Sequence, residues 1–257
     1  MKLIRMLAAA ALALAAIPAH AMGRLADVSI VDRVTHQALP VHWHEGRAYV
    51  VGRPGAEYEV VVANRAGEDL LAVVAVDGVN VVSGETAGVQ QGGYVLRPWE
   101  TTTIRGWRKS LEETASFYFT SLGDSYAGRT GRPANVGVIG VALFRRAPPP
   151  RRESSATDIF TPPPAAAEAE ESSMLRKRSQ AAASPQAAAP LGTGHGRREN
   201  SPVREVVFDR ATEQPAEVVT IYYDSYRNLV ALGVITAPIA RRDPTPFPMG
   251  FVPDPPR

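Results

Sequence analysis

Runs of valine and other apolar residues alternate with short polar breaks along residues 25–144. The clearest group lies within residues 57–83, where three apolar runs are separated by the polar residues 64–69 and by Asp77-Gly78. Valine has a stiff χ1 angle and therefore favours strands over helices. Asp-Gly supplies the backbone conformations that reverse a strand. We therefore predict a β meander here that forms part of a sheet core.

Other segments before residue 147 show the same pattern. Arg53-Pro54-Gly55 is a turn signal that predicts a hairpin between the runs on either side of it. Short strands with a turn signal about every 8–12 residues are typical of antiparallel sandwiches. The predicted fold class is therefore all-β, an antiparallel β-sandwich-like domain over residues 22–146. The further predicted strands are residues 25–34, 47–52, 94–96, 101–107, 116–121 and 135–144, the last being central.

The composition changes abruptly after this domain. Residues 147–190 consist largely of Pro, Ala, Ser, Glu and Arg, and residues 241–257 are again dense in proline. Such segments bury too little apolar surface to offset chain entropy. We therefore predict a disordered linker and a proline-rich tail.

Between these two segments the strand pattern returns, in residues 191–240. Strands are predicted at residues 203–208, 217–223 and 229–235, and a tight glycine turn at residues 192–196. So few strands are marginal as an independent domain. We therefore expect this C-terminal β segment to dock on the first domain.

The first 21 residues have the features of a secretory signal. Lys2 and Arg5 precede an apolar run at residues 7–17, and Ala19-His20-Ala21 is a small-x-small cleavage site. The run is about half of the roughly 20 residues that span a bilayer. We therefore predict Sec-type cleavage near Ala21, a periplasmic or secreted protein, and no transmembrane segment after cleavage.

Charge and cysteine content exclude several classes of function. The chain has 28 basic and 26 acidic residues, and residues 1–21 contain two basic residues and no acid. The remainder therefore has 26 of each (28 − 2 = 26), which argues against binding to nucleic acid. The chain has no cysteine, which excludes thiol catalysis and cysteine-ligated zinc.

Five motifs carry a resemblance to a known family. The chain resembles a family of uncharacterised exported proteins of Gram-negative bacteria, and the resemblance covers most of the chain outside signal, linker and tail. It implies export and a β fold, and brings no catalytic residues with it. The motifs are VDGVNVVSG (76–84), GYVLRPWETTTIRGWR (93–108), NVGVIGVALF (135–144), LGTGHGRRENSPV (191–203) and IYYDSYRNLVALGVI (221–235).

Histidine spacing offers one candidate metal site. His42 and His44 share a face if their segment is extended, and two imidazoles suit zinc or copper. His195 or His36 would supply a third ligand. The spacing matches no defined zinc motif, and solvated histidines on a polar loop are the alternative.

Aromatic and cationic residues offer a candidate contact surface. Trp43, Trp99, Tyr94 and Arg97 would suit a glycan such as peptidoglycan, or a partner protein.

No catalytic motif is present, and Asp77 lies in a turn, where aspartates usually cap their own backbone. We therefore predict a non-catalytic structural or protein-interaction module of the cell envelope, with contacts made by the loops at residues 83–93 and 122–134. Glycan binding and histidine-ligated metal binding remain as alternatives.

Overall fold

Two β-sheets packed face to face make up the part of the protein that the structure describes, as the all-β prediction requires. The computed structural model describes residues 22–148 and 190–236. The predicted signal, nearly all of the linker and the proline-rich tail lie outside these residues. Within them, no helix is long and apolar enough to cross a membrane.

The described residues form thirteen strands and two short α-helices. There are also two single 3-10 turns, at Leu122–Asp124 and at Pro133–Asn135. The strands are β1 (Ala26–Asp32), β2 (Val41–His44), β3 (Arg47–Gly52), β4 (Glu57–Asn64), β5 (Leu70–Val76), β6 (Val79–Asn80), β7 (Tyr94–Leu96), β8 (Thr101–Ile104), β9 (Gly106–Arg108), β10 (Glu113–Ser121), β11 (Val138–Arg145), β12 (Leu191–Asn200) and β13 (Glu217–Ser225), and the helices are α1 (Tyr126–Arg129) and α2 (Tyr226–Ala231).

The first sheet has the order β1-β4-β10-β12, with β8 paired to β4 and β9 paired to β10. The second sheet has the order β2-β3-β13-β11-β5-β6, with β7 also paired to β5. Segments from beyond the linker thus enter both sheets: β12 at the edge of the first, and β13 between β3 and β11 of the second. The expected docking of the C-terminal segment on the first domain takes this form. The pair β3–β13 is parallel, and the other strand pairs are antiparallel.

The predicted hairpin at Pro54-Gly55 is wrong in its pairing. The turn is present, with Gly55 at φ +83°, but β3 belongs to the second sheet and β4 to the first. A Cβ on Gly52 would overlap the side chains of Leu191 and Phe119, so the chain turns this corner where no side chain fits. The predicted meander is split in the same way, because β4 and β5 lie in different sheets and only β5 and β6 pair.

The predicted glycine turn at residues 192–196 is instead part of β12. Its glycines allow close approach of neighbouring side chains: a Cβ on Gly194 would overlap the ring of Tyr118, and one on Gly196 would overlap Ser116. The stretch therefore forms a strand because it fits the residues around it, although its glycine content argues against one.

Two further predicted strands are absent. Residues 229–235 contain the end of α2, which begins after Ser225, whose hydroxyl accepts from the Asn228 N–H. The helix ends before Gly233, at φ +75°. Residues 203–208 form no regular secondary structure.

The main core lies between the sheets, where side chains of alternate residues in β1 and β4 are buried. The Tyr58 ring stacks on those of Phe117 and Phe119, at 5.4 Å and 4.3 Å between centroids. A second, smaller cluster lies on the outer face of the second sheet and explains why β5 is apolar on both faces. Its members are Leu71, Val73, Ala142 and Phe144, with Val95 and Phe208 packed against them.

Candidate functional site

Residues 201–210, which we call the strap, cover this second cluster without joining either sheet. The strap is held at both ends: the N–H groups of Ser201 and Val203 donate to Glu112 O and Leu111 O, at 2.6 and 2.7 Å, and Asp209 O accepts from Ala147 N–H at 2.8 Å. Between these points, the backbone N–H groups of residues 204–208 donate to no acceptor within the described part of the chain. The strap thus presents a row of free backbone donors.

An open-sided groove of about 1170 Å³ runs between the strap and the β7 edge of the second sheet. Apolar side chains along it are exposed, with Val206 at 51% and Leu111 at 49%. On the opposite side, residues 90–95 and Arg97 line the groove, and Tyr94 is among them. The groove therefore combines exposed valines with unpaired backbone donors.

Positive charge exceeds negative charge in the groove. Five arginines and three carboxylates line it, an excess of two positive charges (5 − 3 = 2). Arg146 is paired with Asp69 at 3.1 Å. The Arg97 and Arg204 side chains have no hydrogen-bond or ion-pair partner among residues 22–148 and 190–236. The other lining charges are Arg108, Arg210, Glu100 and Glu205.

Two of these arginines fasten the groove walls. Arg108 donates to Tyr94 Oη at 3.1 Å and also to Ser201 O. Arg210 donates to Val89 O at 3.1 Å and to Gln91 O at 2.7 Å, and its guanidinium lies 4.3 Å from the centroid of the Phe144 ring. The loop at residues 83–93 and the strap are therefore fixed to each other.

The four sequence-predicted contact residues are only partly brought together. Tyr94 and Arg97 both line the groove. Trp43 is exposed on β2, at the opposite edge of the second sheet from β7. Trp99 is 68% exposed in the turn after β7, at φ +64°, and does not line the groove.

The two predicted contact loops meet through the Arg132 guanidinium, which donates to Gly84 O at 3.0 Å. Only the loop at residues 83–93 reaches the groove, through Gln90 to Gly93. The loop at residues 122–134 contains α1 and packs against β12 instead.

The predicted metal ligands lie in different sheets. His42 and His44 are half-buried on β2, while His195 is on β12. The His195 ring stacks on Tyr126 at 5.7 Å, and burial together with the nearby cations Lys109, Arg198 and Arg129 lowers the pKa of its imidazole. Among the described residues, no group of three or more His, Cys, Asp or Glu is placed to hold a metal ion.

Sequence reasoning missed a buried polar chain that links the two sheets. Asp77 lies in the turn between β5 and β6 and is fully buried. Its carboxylate accepts from Thr193 N–H at 2.7 Å, Gly137 N–H at 2.9 Å and Tyr223 Oη–H at 2.5 Å. It therefore bonds to residues that are distant in the sequence, on β12, on β13 and just before β11, and the expectation that this aspartate caps its own backbone is wrong.

The direction of each bond in this chain follows from counting protons. A hydroxyl has one proton, and Tyr223 uses its proton on Asp77. Thr193 must then donate to Tyr223, at 2.7 Å, and Tyr58 must donate to Thr193, at 2.6 Å. Aligned hydroxyls of this kind strengthen one another.

Burial dominates the electrostatics of this chain. It raises the pKa of Asp77, and the donated hydrogen bonds offset only part of that rise. Burial also raises the pKa of Tyr58 and Tyr223 well above the usual value for a tyrosine. Because this buried polar chain is closed to solvent, it links the two sheets and holds the edge strand β12, and it is not placed to bind a ligand.

The sequence matches no protein-family model, no curated protein and no solved structure.

Proposed function

We propose that the protein is an exported, non-catalytic interaction module of the bacterial envelope, which binds an extended, acidic segment of a partner protein along the strap. The observation that carries this proposal is the row of backbone N–H groups at residues 204–208 that have no acceptor among residues 22–148 and 190–236. Extended peptides add a strand to an exposed sheet edge by pairing with its unpaired backbone groups, and the strap offers unpaired backbone donors of the same kind.

The side chains around the strap support this mode of binding. In an added strand, main-chain bonds supply affinity and pockets for alternate side chains supply specificity. Val206 and Leu111 offer apolar contact in the groove. Arg97 and Arg204 have no carboxylate partner among the described residues and would pair with acidic side chains of the segment.

Export is supported by the sequence alone. Lys2, Arg5, the apolar residues 7–17 and the Ala-x-Ala site before Met22 have the arrangement of a cleaved signal. The family resemblance supports the same location.

The test is selection from a displayed library of random ten-residue peptides, followed by fluorescence anisotropy with a labelled copy of an enriched peptide. We expect enriched peptides to combine alternating apolar residues with Asp or Glu. Val206→Asp should weaken binding at least about tenfold, equivalent to about 1.4 kcal/mol, and Arg204→Glu should weaken it and reduce its salt dependence.

Val218→Asp is the matched control, because Val218 is 57% exposed, close to the 51% of Val206, but lies on β13 away from the groove. It should leave the affinity unchanged. Failure to enrich any peptide, or equal binding by the Val206→Asp and wild-type proteins, would contradict the proposal.

A further inference from the structure

The outer face of the second sheet carries a second surface, distinct from the groove. Strand pairing places His42, Tyr49, Tyr222 and Val138 in one row across β2, β3, β13 and β11. The Tyr49 and Tyr222 rings lie side by side, 5.4 Å between centroids and 32° between planes. Both rings are half-buried, and sequence reasoning did not single out either residue.

Two inter-strand positions flank the tyrosine pair, and we call them the gaps of the row. One lies between the facing residues His42 and Tyr49, and the other between the facing residues Tyr222 and Val138. Neighbouring strands are about 4.8 Å apart, so the centres of the gaps, two spacings apart, are separated by about 9–10 Å. Gly140, beside Val138 on β11, leaves open space where a Cβ would be.

The described chain ends beside this row. After α2 it passes Gly233, where an added Cβ would lie 3.8 Å from His44 Cε1, and it leaves the described residues at Thr236. The sequence continues for 21 residues, 237–257, and includes Pro253-Asp254-Pro255-Pro256. At about 3.1 Å per residue in an extended polyproline conformation, this segment is long enough to cross the row.

We propose that residues 253–256 of this chain dock on the tyrosine row, with Pro253 and Pro256 in the two gaps. A polyproline segment advances about 9 Å in three residues, which matches the separation of the gaps. Aromatic-lined grooves bind such segments because proline is already restricted before binding. Arg47, exposed and 5.5 Å from the Tyr222 ring centroid, is placed to pair with Asp254.

The other half of this sheet face is already covered by a segment of the same chain. There the strap, which begins at Ser201-Pro202, lays Phe208 on the cluster around Phe144. The proposal therefore assigns each half of the outer face to a segment of this chain, the strap to one and residues 253–256 to the other.

The test uses the absence of native cysteine to place two nitroxide labels in the full chain, at Val252→Cys and Val218→Cys. Val218 is exposed on β13, four positions before Tyr222 on the same face. Electron–electron distance measurement should give one narrow distribution below about 30 Å, since four strand residues span about 13 Å. Moving the second label to Ser29→Cys, on the outer face of the first sheet, should lengthen the distance by at least the roughly 10 Å between sheets.

Matched variants separate docking from proximity. Pro253→Ala with Pro256→Ala, or Tyr49→Ala with Tyr222→Ala, should broaden the distribution. Pro244→Ala with Pro246→Ala, and Tyr226→Ala at an exposed position of α2, should leave it narrow. A broad distribution in the otherwise wild-type chain, or one that the tyrosine variants do not alter, would overturn the assignment.

Discussion

Replacing Tyr223 by phenylalanine removes one hydroxyl from the buried chain without removing the ring from the core. The hydroxyl donates to the Asp77 carboxylate at 2.5 Å and accepts from Thr193 at 2.7 Å. A hydrogen bond to a charged group contributes about 1.5–3 kcal/mol and a neutral one about 1 kcal/mol. The free energy of unfolding should therefore fall by about 2.5–4 kcal/mol.

Two tyrosine variants calibrate this number. Tyr58→Phe removes only the last, neutral donor of the chain and should cost about 1 kcal/mol. Tyr222→Phe changes the adjacent residue of the same strand, outside the buried chain, and should change stability by less than about 0.5 kcal/mol. The order Tyr223, Tyr58, Tyr222 follows from the number of hydrogen bonds that each hydroxyl makes in the chain and from the charge on Asp77.

Urea unfolding followed by tryptophan fluorescence measures these differences, because Trp107 is buried in the main core. For a protein of this size, Tyr223→Phe should also lower the melting temperature by roughly 5–15 °C. A cost for Tyr58→Phe equal to that for Tyr223→Phe, or a large cost for Tyr222→Phe, would refute the contributions assigned to these three hydroxyls.

Three further substitutions test separate parts of the fold. Burial raises the pKa of Asp77 in the folded state. The stability that Asp77 contributes is therefore greatest below its unfolded pKa of about 3.9 and falls as the pH rises through the folded pKa. Urea titrations at several pH values should show that the Asp77→Asn protein lacks this fall in stability. The pKa of Asp32 is lowered, chiefly by the Thr35 N–H and also by Arg53, so Asp32→Asn should reduce the unfolding free energy at pH 7 by about 1–3 kcal/mol and make no difference below the folded pKa. Gly194→Val should cost about 1–3 kcal/mol by overlapping the Tyr118 ring, and Tyr118→Ala should recover part of that loss; no recovery would contradict the stated contact.

The sequence predicted individual strands better than their partners. The bounds of β3, β5 and β7 follow from apolar runs that end at Gly, Pro or Asp-Gly. Which sheet each strand joins depends on contacts far along the chain, such as Gly52 against Leu191. No local pattern carries that information.

Two errors had opposite causes. β12 has a glycine-rich sequence of low strand propensity, and the Tyr118 ring over Gly194 overrides that propensity. Residues 203–208 have high strand propensity but find no strand partner among the described residues. For α2, Ser225 as N-cap and Gly233 after the end were available signals of a helix.

The candidate sites were less accessible to sequence reasoning. Tyr94 and Arg97, predicted as contact residues for a glycan or a partner protein, both line the groove, and their contact with a partner stays a prediction. Asp77 could not be assigned, because its partners Gly137, Thr193 and Tyr223 lie 60 to 146 residues away. Tyr49 and Tyr222 become neighbours only through the parallel pairing of β3 with β13.

Amide hydrogen exchange across the strap tests most directly whether the protein acts by receiving an extended segment. In the free protein, the amides of residues 204–208 should exchange rapidly, because their N–H groups have no acceptor within the described residues. With an enriched peptide bound, at least two of these amides should slow by about 100-fold or more, as expected for new backbone hydrogen bonds. Slow exchange in the free protein, or exchange that bound peptide leaves unchanged, would contradict the proposed function.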